Sequence, residues 1–202
     1  MSGRLQVPPL GGARALIVHR PHVVVQALGR QLTAIGLKVD TAWPEAGAAA
    51  LSADFVFYDA DMGHDGQFPW APGAGPVPMI ALIGSEAPGR IEWALRMGAD
   101  AQLLKPVGDG GAYSALLIAR VAFEARQRLA AEVAGLKARI DARQTVVHAV
   151  VLLMGQGRDE STAFDHLRQL AMRWRVSFEA AAERVVAQLD PQEADHGRRR
   201  SR

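Results

Sequence analysis

Short apolar runs and amphipathic segments alternate through the first half of the chain. Five runs, most of them with the pattern of buried segments, have the length and composition of strands, and segments with helical spacing separate them. The predicted strands are residues 15–19, 37–43, 54–59, 79–84 and 101–106, and the predicted helices are residues 23–36, 47–52 and 89–99. This order predicts an α/β fold, in which helices cover both faces of a doubly wound parallel sheet.

Residues 63–78, GHDGQFPWAPGAGPVP, interrupt the alternation between the third and fourth predicted strands. The segment is too rich in Gly and Pro for a helix, so we predict a loop. Within it, Trp70 is expected to pack as part of the core; the alternatives are packing over the sheet edge and a place in a partner-binding surface. His64 and Asp65 could hold a metal ion, but a solvated loop is the simpler expectation, and we predict no metal site.

From about Ala112 the pattern becomes that of one long helix. Along it, apolar residues at 4-3-4 spacing alternate with Arg, Glu and Lys; they are Leu129, Val133, Leu136 and Ile140. Such a seam is typical of coiled coils, so residues 112–144 are predicted to be a dimerisation helix and the protein a homodimer. The alternative is a helix that packs on its own domain.

The last part of the chain has the pattern of a small three-helix bundle, residues 145–190. The first predicted helix, residues 145–157, ends at two glycines. The second, residues 161–175, is capped by Asp159, and the third, residues 178–189, is capped by Ser177. In the last helix, apolar residues from Phe178 to Leu189 recur on one face. Residues 191–202 form a polar, basic tail that we expect to be disordered.

Composition narrows the class of protein. Of the 202 residues, 49% are hydrophobic, which is enough for a packed core and excludes global disorder. The chain contains no cysteine, which excludes disulfides and thiolate metal ligands. No apolar stretch reaches the roughly 18 residues that a transmembrane helix needs, so we expect a cytoplasmic protein with no membrane partner.

Charge is distributed unevenly along the chain. Residues 1–110 carry 8 Lys and Arg against 10 Asp and Glu, whereas residues 111–202 carry 15 against 11, and 14 of these 15 cations are arginine. This asymmetry indicates a polyanionic partner for the C-terminal half.

Two motifs in the first half resemble those of response-regulator receiver domains. DFVFYDADMGHDG, residues 54–66, puts Asp59 at the phospho-acceptor position, and LLKP, residues 103–106, puts Lys105 at the position of that family's lysine. The acidic pair that the family has after its first strand is His19 and Arg20 here. The resemblance implies a receiver-like, flavodoxin-like domain over residues 1–111, in which Ile83 replaces the usual hydroxyl residue and a loop replaces the third helix.

Phosphorylation of a carboxylate normally needs Mg²⁺ held by further carboxylates. His19 and Arg20 supply positive charge where a metal ion would need negative ligands. We therefore interpret Asp59 as a structural residue paired with Lys105 or Arg20, in a degenerate site that takes no cofactor. The alternative is a conventional phosphorylated receiver.

The last 60 residues resemble the ANTAR family, whose members are RNA-binding antitermination modules of three helices after a coiled coil. The matching residues are Ala149, LLM (152–154), AF (163–164), LR (167–168), AM (171–172) and AAERVV (181–186). The family usually has a lysine directly after the alanine, and this position is Val150 here.

Helix 161–175 carries a candidate RNA surface. Its members, spaced by 4, 4 and 3, are Phe164, Arg168, Met172 and Arg175. Phe164 offers a stacking plane and the arginines offer planar donors for phosphates and base edges, with Arg173 as a further cation. Ala149 joins the candidates through the resemblance. The simpler alternatives are a solvated basic face and, for Met172 and Met154, a place in the bundle core.

The resemblances together imply a transcription antiterminator that binds hairpins in nascent leader mRNA. They also imply a ligand-sensing partner protein that controls it through the degenerate receiver. A competing hypothesis is an interaction module that dimerises without binding RNA. The residues show no nucleophile elbow, P-loop or paired metal ligands, so we predict that the protein is not an enzyme.

Overall fold

The computed structural model describes residues 10–190. The chain divides into two compact units between Arg128 and Leu129. The basic tail that we predicted to be disordered, residues 191–202, lies outside the described residues.

The first unit contains a parallel sheet of five strands. The strands are β1 (Arg14–Val18), β2 (Lys38–Ala42), β3 (Phe55–Asp59), β4 (Met79–Ile83) and β5 (Ala101–Leu104). Their order in the sheet is β2-β1-β3-β4-β5, and every neighbouring pair is parallel. The order reverses between β1 and β3, and the carboxyl ends of strands at such a point form a crevice where α/β proteins bind ligands.

Helices follow the strands as the sequence predicted. They are α1 (Val23–Ile35), a 3-10 helix (Gly47–Ser52), α2 (Pro88–Arg96) and α3 (Ala112–Met154). The α1 helix begins after His22, whose side chain accepts a hydrogen bond from the Val24 amide, and it ends at Gly36, which has a φ of 98°. Only glycine adopts that conformation at little cost, which explains why the helix ends there.

Alternate residues of the strands face two separate layers of the core. On one face, Ile17 and Phe57 pack against α1 and the first turns of α3. On the other face, Leu16 and Tyr58 pack against the 3-10 helix and α2. The doubly wound sheet predicted from the sequence is therefore confirmed.

The segment between β3 and β4 contains no helix, as its Gly and Pro content predicted. The Trp70 ring stacks on the Phe68 ring at 5.4 Å and 11°, and Trp70 packs against the second core layer. The sequence-based expectation that Trp70 belongs to the core is confirmed.

The second unit consists of the rest of α3 with α4 (Glu160–Trp174) and α5 (Phe178–Leu189). Asp159 and Ser177 cap α4 and α5, since their side chains accept hydrogen bonds from the amides of Thr162 and Ala180. The core contains buried residues from all three helices, namely Ala149, Val150, Leu153, Ala163, Leu167, Ala171, Ala181, Ala182, Val185 and Val186.

The helix predicted to begin at residue 145 is the C-terminal part of α3, which runs without a break from Ala112 to Met154. Residues 141–147 contain neither Gly nor Pro, so nothing interrupts the backbone ladder there. The predicted coiled-coil seam lies on this helix, and all four of its residues are exposed; they are Leu129, Val133, Leu136 and Ile140. Among residues 10–190, no helix is both long and apolar enough to cross a membrane.

Candidate functional site

The Asp59 carboxylate lies at the carboxyl end of β3, beside β1, and only 1% of the residue is exposed. Lys105, directly after β5, brings its Nζ to 2.7 Å from Asp59 Oδ1. The Asp61 amide donates to the same oxygen at 3.0 Å. The residue is therefore held by an ammonium group and a backbone amide.

His19 supplies the third group around Asp59. Its Nδ1 lies 2.7 Å from the Arg20 carbonyl oxygen and must be the donor, because a carbonyl only accepts. Its Nε2 lies 3.2 Å from Asp59 Oδ2 without hydrogen-bond geometry. With Nδ1 already carrying a hydrogen, this contact is attractive when the ring is protonated, so His19 can add positive charge next to Asp59.

These contacts identify which of the two predicted cations holds Asp59. Lys105 forms the ion pair, and Arg20 is exposed. Ile83, at the position of the family's hydroxyl residue, is buried and apolar. An ammonium group and an imidazole ring thus lie beside Asp59, and His19 stands where the family has a carboxylate that would hold Mg²⁺.

Asp61 belongs to the same site, although the sequence gave us no reason to include it. Its carboxylate Oδ2 lies 2.6 Å from Lys105 Nζ and accepts from the Gly84 amide at 2.9 Å. Its Oδ1 accepts from the Ser85 amide at 3.0 Å. Burial alone would raise the pKa of Asp61, but the hydrogen bonds from Lys105, Ser85 and Gly84 outweigh it and hold the pKa below its usual value.

A groove in the second unit lies between α4 and α5. Two of the residues that line it, Phe164 and Phe178, have rings that stack with centroids 6.1 Å apart and an interplanar angle of 6°. The groove has a volume of about 570 Å³. The residues that line it are Phe164, Arg168, Ala171, Met172, Arg175, Val176 and Phe178.

Four of the six candidate RNA contacts line this groove, namely Phe164, Arg168, Met172 and Arg175. Arg175 ends α4 with a left-handed backbone, φ 53° and ψ 44°, and its amide donates back to the helix. Arg168 is exposed and pairs with Asp165 one turn earlier, at 3.0 Å. Arg173 is exposed but does not line the groove.

The structure corrects three expectations about single side chains. Met172 is 70% exposed and Met154 is 40% exposed, so the interpretation of both as core residues is wrong. Ala149 is fully buried, and its methyl group packs inside the bundle rather than on the groove surface. Val150, at the position of the family's lysine, is also buried in this core.

Phe178 and Val176 are groove residues that the sequence analysis did not identify as such. Phe178 was assigned only to the apolar face of α5. It is the first residue of that helix, where its partly buried ring packs against the core and stacks on the ring of Phe164. The one available signal was an aromatic residue directly after a capping serine.

Acidic side chains lie next to the groove. A second depression shares Phe164 and Arg168 with it and is also lined by Asp159, Glu160 and Asp165. These carboxylates therefore partly balance the positive charge of Arg168. Arg175 lines the groove but not this second depression.

Comparisons with known families agree with this arrangement. The family described as AmiR, N-terminal, matches residues 13–120, which is more than half of the chain. The chain belongs to this family. The ANTAR domain matches residues 134–186, which include α4, most of α5 and the groove. This member of the AmiR N-terminal family is therefore a regulator with a receiver-like domain followed by an ANTAR domain, and both families are regulatory rather than enzymatic.

Three solved structures, two of them of receiver domains, are similar to parts of the chain. The Rec1 domain of ShkA in complex with c-di-GMP is 24% identical over 54% of this chain and 94% of that one, with a TM-score of 0.42. The receiver domain of a modulated diguanylate cyclase from Desulfovibrio desulfuricans G20 is 17% identical over 56% and 98%, with a TM-score of 0.43. NtrX from Brucella abortus in complex with ATP is 22% identical over 69% and 35%, also with a TM-score of 0.43. The comparison with curated proteins gave no match.

Proposed function

We propose that the protein is a transcription antiterminator that binds hairpins in nascent leader mRNA through the groove between α4 and α5. The observation that supports this most directly is the composition of the groove. Stacked aromatic rings and two exposed arginines, Arg168 and Arg175, line one groove in the part of the chain that matches the ANTAR domain.

The chemistry of the groove suits the loop of an RNA hairpin. Unpaired bases in a loop expose flat faces, which stack on aromatic rings or on guanidinium planes. Met172 adds a polarisable apolar surface on the same wall. The adjoining phosphates need cations, and Arg168 and Arg173 on α4 and Arg175 at its C-terminus would provide them.

Residues 112–144 are proposed to join two copies of the chain. The four seam residues are apolar and exposed in the single chain, and a second copy of α3 would cover them. Replacing Val133 and Leu136 with aspartate would put charge into that contact, so light scattering should report a monomer. A dimer that persists in this variant would mean that the interface lies elsewhere. In the same scheme, residues 1–111 form the receiver-like domain and residues 145–190 form the RNA-binding bundle, in keeping with the two family matches.

Control of the regulator is proposed to come from a ligand-sensing partner protein that docks on the receiver-like domain. Phosphorylation would need a metal ion beside Asp59, where Lys105 already pairs with the carboxylate and His19 Nε2 lies 3.2 Å from its other oxygen. Because nascent transcripts are cytoplasmic in bacteria, this function would place the protein in the cytoplasm.

A titration of the full chain with one leader hairpin and its loop mutant, at two salt concentrations, tests the proposal. Arg168→Ala should weaken binding by about 1–3 kcal/mol if the guanidinium contacts a base edge. Arg184→Ala is the matched control, since Arg184 is exposed on α5 but does not line the groove. Deleting residues 198–202 should reduce only non-specific affinity, so discrimination between the two hairpins should remain.

A second function, an interaction module without RNA binding, is favoured by the acidic side chains beside the groove and by the burial of Val150. Failure of every form of the protein to bind RNA would support it. Equal affinity of wild type and Arg168→Ala, with loss only on deletion of the tail, would show that the groove is not the RNA site.

A further inference from the structure

Three hydrogen-bond donors beside Asp59 converge on a second carboxylate. They are the backbone amides of Gly84 and Ser85, directly after β4, and the Lys105 ammonium group. Two adjacent amides and an ammonium group are the donors that bind small oxyanions in proteins. The group that they bind here is a carboxylate of the chain itself, that of Asp61.

Both Asp61 oxygens are engaged. Oδ2 lies 2.6 Å from Lys105 Nζ and 2.9 Å from the Gly84 nitrogen, and Oδ1 lies 3.0 Å from the Ser85 nitrogen. The side chain is only 21% exposed. Lys105 contacts both Asp59 and Asp61, so one cation pairs with the buried Asp59 carboxylate and with the Asp61 carboxylate that the two amides bind.

The backbone is shaped for this close approach. A Cβ atom at Gly84 would lie 2.7 Å from Asp61 Oδ2 and 3.1 Å from Lys105 Cε. Any other residue would therefore push the carboxylate out of the position where it reaches the two amides. The sequence Gly84-Ser85 after β4 thus forms an open notch rather than an ordinary loop.

We propose that Gly84, Ser85 and Lys105 form an oxyanion-binding notch, and that the Asp61 carboxylate occupies it as a built-in ligand. A chain without that carboxylate would take up a small tetrahedral oxyanion, such as inorganic phosphate, at the same three donors. In the intact chain, the loop after β3 is tied to the segment that leads from β4 into α2 without an external ligand. This inference does not depend on RNA binding.

A neighbouring carboxylate provides a matched control. Asp65 lies in the same loop and also ties it to α2, because its Oδ1 accepts from Trp93 Nε1 at 3.0 Å and from Arg96 at 2.9 Å. Its donors are side chains, and the residue is exposed. Asp65→Ala therefore removes a loop contact and a negative charge but uncovers no pair of amides.

The test compares thermal unfolding of the full chain in sodium phosphate and in sodium chloride of equal ionic strength. Phosphate should raise the Tm of Asp61→Ala by roughly 3 °C at ten times its Kd. Wild type and Asp65→Ala should show no saturable rise. Adding Gly84→Ala to Asp61→Ala should abolish the effect, because the new methyl group fills the place of the anion.

Amide resonances locate the site and separate it from phosphate bound by the arginines of the second unit. In Asp61→Ala, the Gly84 and Ser85 amides should shift saturably with phosphate, and in wild type they should not. A folded Asp61→Ala chain with no phosphate response would overturn the proposal, as would a wild-type chain that responds equally.

A measurement on wild type covers the case in which Asp61→Ala does not fold. The Gly84 and Ser85 amides should shift together with the Asp61 carboxyl carbon on acidification, at a pH below the usual carboxyl range. Asp59, Lys105 and His19 are the other charged groups at this site, and their own resonances report their titration separately. Amides that follow one of those groups instead of Asp61 would contradict the assignment.

Discussion

The Asp59 site and the groove between α4 and α5 both gather charged side chains, but they balance the charge in opposite ways. At Asp59, carboxylates and cations of one chain neutralise one another in a nearly closed space. In the groove, Arg168 and Arg175 are exposed beside stacked rings. Within residues 10–190, Arg168 pairs with the Asp165 carboxylate, whereas Arg175 has no such partner.

The difference indicates which site is available to a partner molecule. A buried carboxylate that already has its cation gains little from an external ion, because a new ligand would have to displace that cation. Exposed guanidinium groups are only weakly hydrated, so they lose little hydration free energy when they bind a phosphate or a base. The Asp59 site, which resembles a phosphorylation site, is therefore already occupied by groups of the chain itself. The groove between α4 and α5, which resembles no catalytic site, is open to a partner.

Removing the cation from the closed site should have the largest effect. Lys105→Met leaves the buried Asp59 carboxylate without its ion-pair partner, so the free energy of unfolding should fall by about 3 kcal/mol or more. Urea denaturation followed by tryptophan fluorescence measures this, since Trp43, Trp70 and Trp93 lie in the first unit. Lys38→Met, at an exposed position, should change stability by about 0.5 kcal/mol or less. Equal effects of the two substitutions would show that Asp59 does not depend on Lys105.

Removing a ring from the open groove should weaken RNA binding and leave the first unit unchanged. Phe164→Ala deletes one of the two stacked rings, and we expect a loss of about 1–3 kcal/mol in the free energy of RNA binding. Filter binding with a leader hairpin measures it, and circular dichroism checks that the bundle remains helical. Trp174→Ala is the control, because Trp174 packs on the bundle but does not line the groove. A larger loss in the control would mean that bundle stability, not stacking, controls affinity.

A smaller effect should follow from releasing Arg168. Asp165→Asn removes its exposed ion-pair partner and one negative charge beside the groove, so RNA affinity should rise by about 0.2–1 kcal/mol. The gain should shrink as salt concentration increases, because exposed charges are screened. Glu183→Gln makes the same change of charge on α5, away from the groove, and should leave affinity nearly constant. A decrease in affinity for Asp165→Asn would indicate that the pair with Asp165 orients Arg168 for binding.

Phosphodonors should have no effect on the closed site. Incubation with acetyl phosphate and Mg²⁺ should leave the mass of the protein unchanged, because Lys105 and His19 occupy the surroundings of Asp59. Intact-mass spectrometry measures this directly. A stoichiometric phosphate adduct that disappears in Asp59→Asn would restore the interpretation of a conventional receiver.

Periodicity and end signals in the sequence were sufficient for most of the fold. Strands followed from short apolar runs, and helix ends followed from Gly36, Asp159 and Ser177, because these signals act through the local backbone. The helix start predicted at residue 145 was wrong, since α3 continues through this position and residues 141–147 contain no Gly or Pro that would end a helix. The series Phe164, Arg168, Met172 and Arg175 was visible for the same local reason: residues three and four apart share a helix face.

Only the tertiary structure decided which groups meet across strands and helices. Sequence pattern left both Lys105 and Arg20 open as partners of Asp59, and the sheet order brought Lys105 from β5 to it. The role of Asp61 depends on amides that follow a different strand, and that of Phe178 on the packing of α5 against α4. Spacing along a helix identifies a face, but it does not tell whether a neighbour covers that face. Burial of Ala149 and Val150 and exposure of Met172 were therefore determined by packing between helices, which no local pattern in this chain encodes.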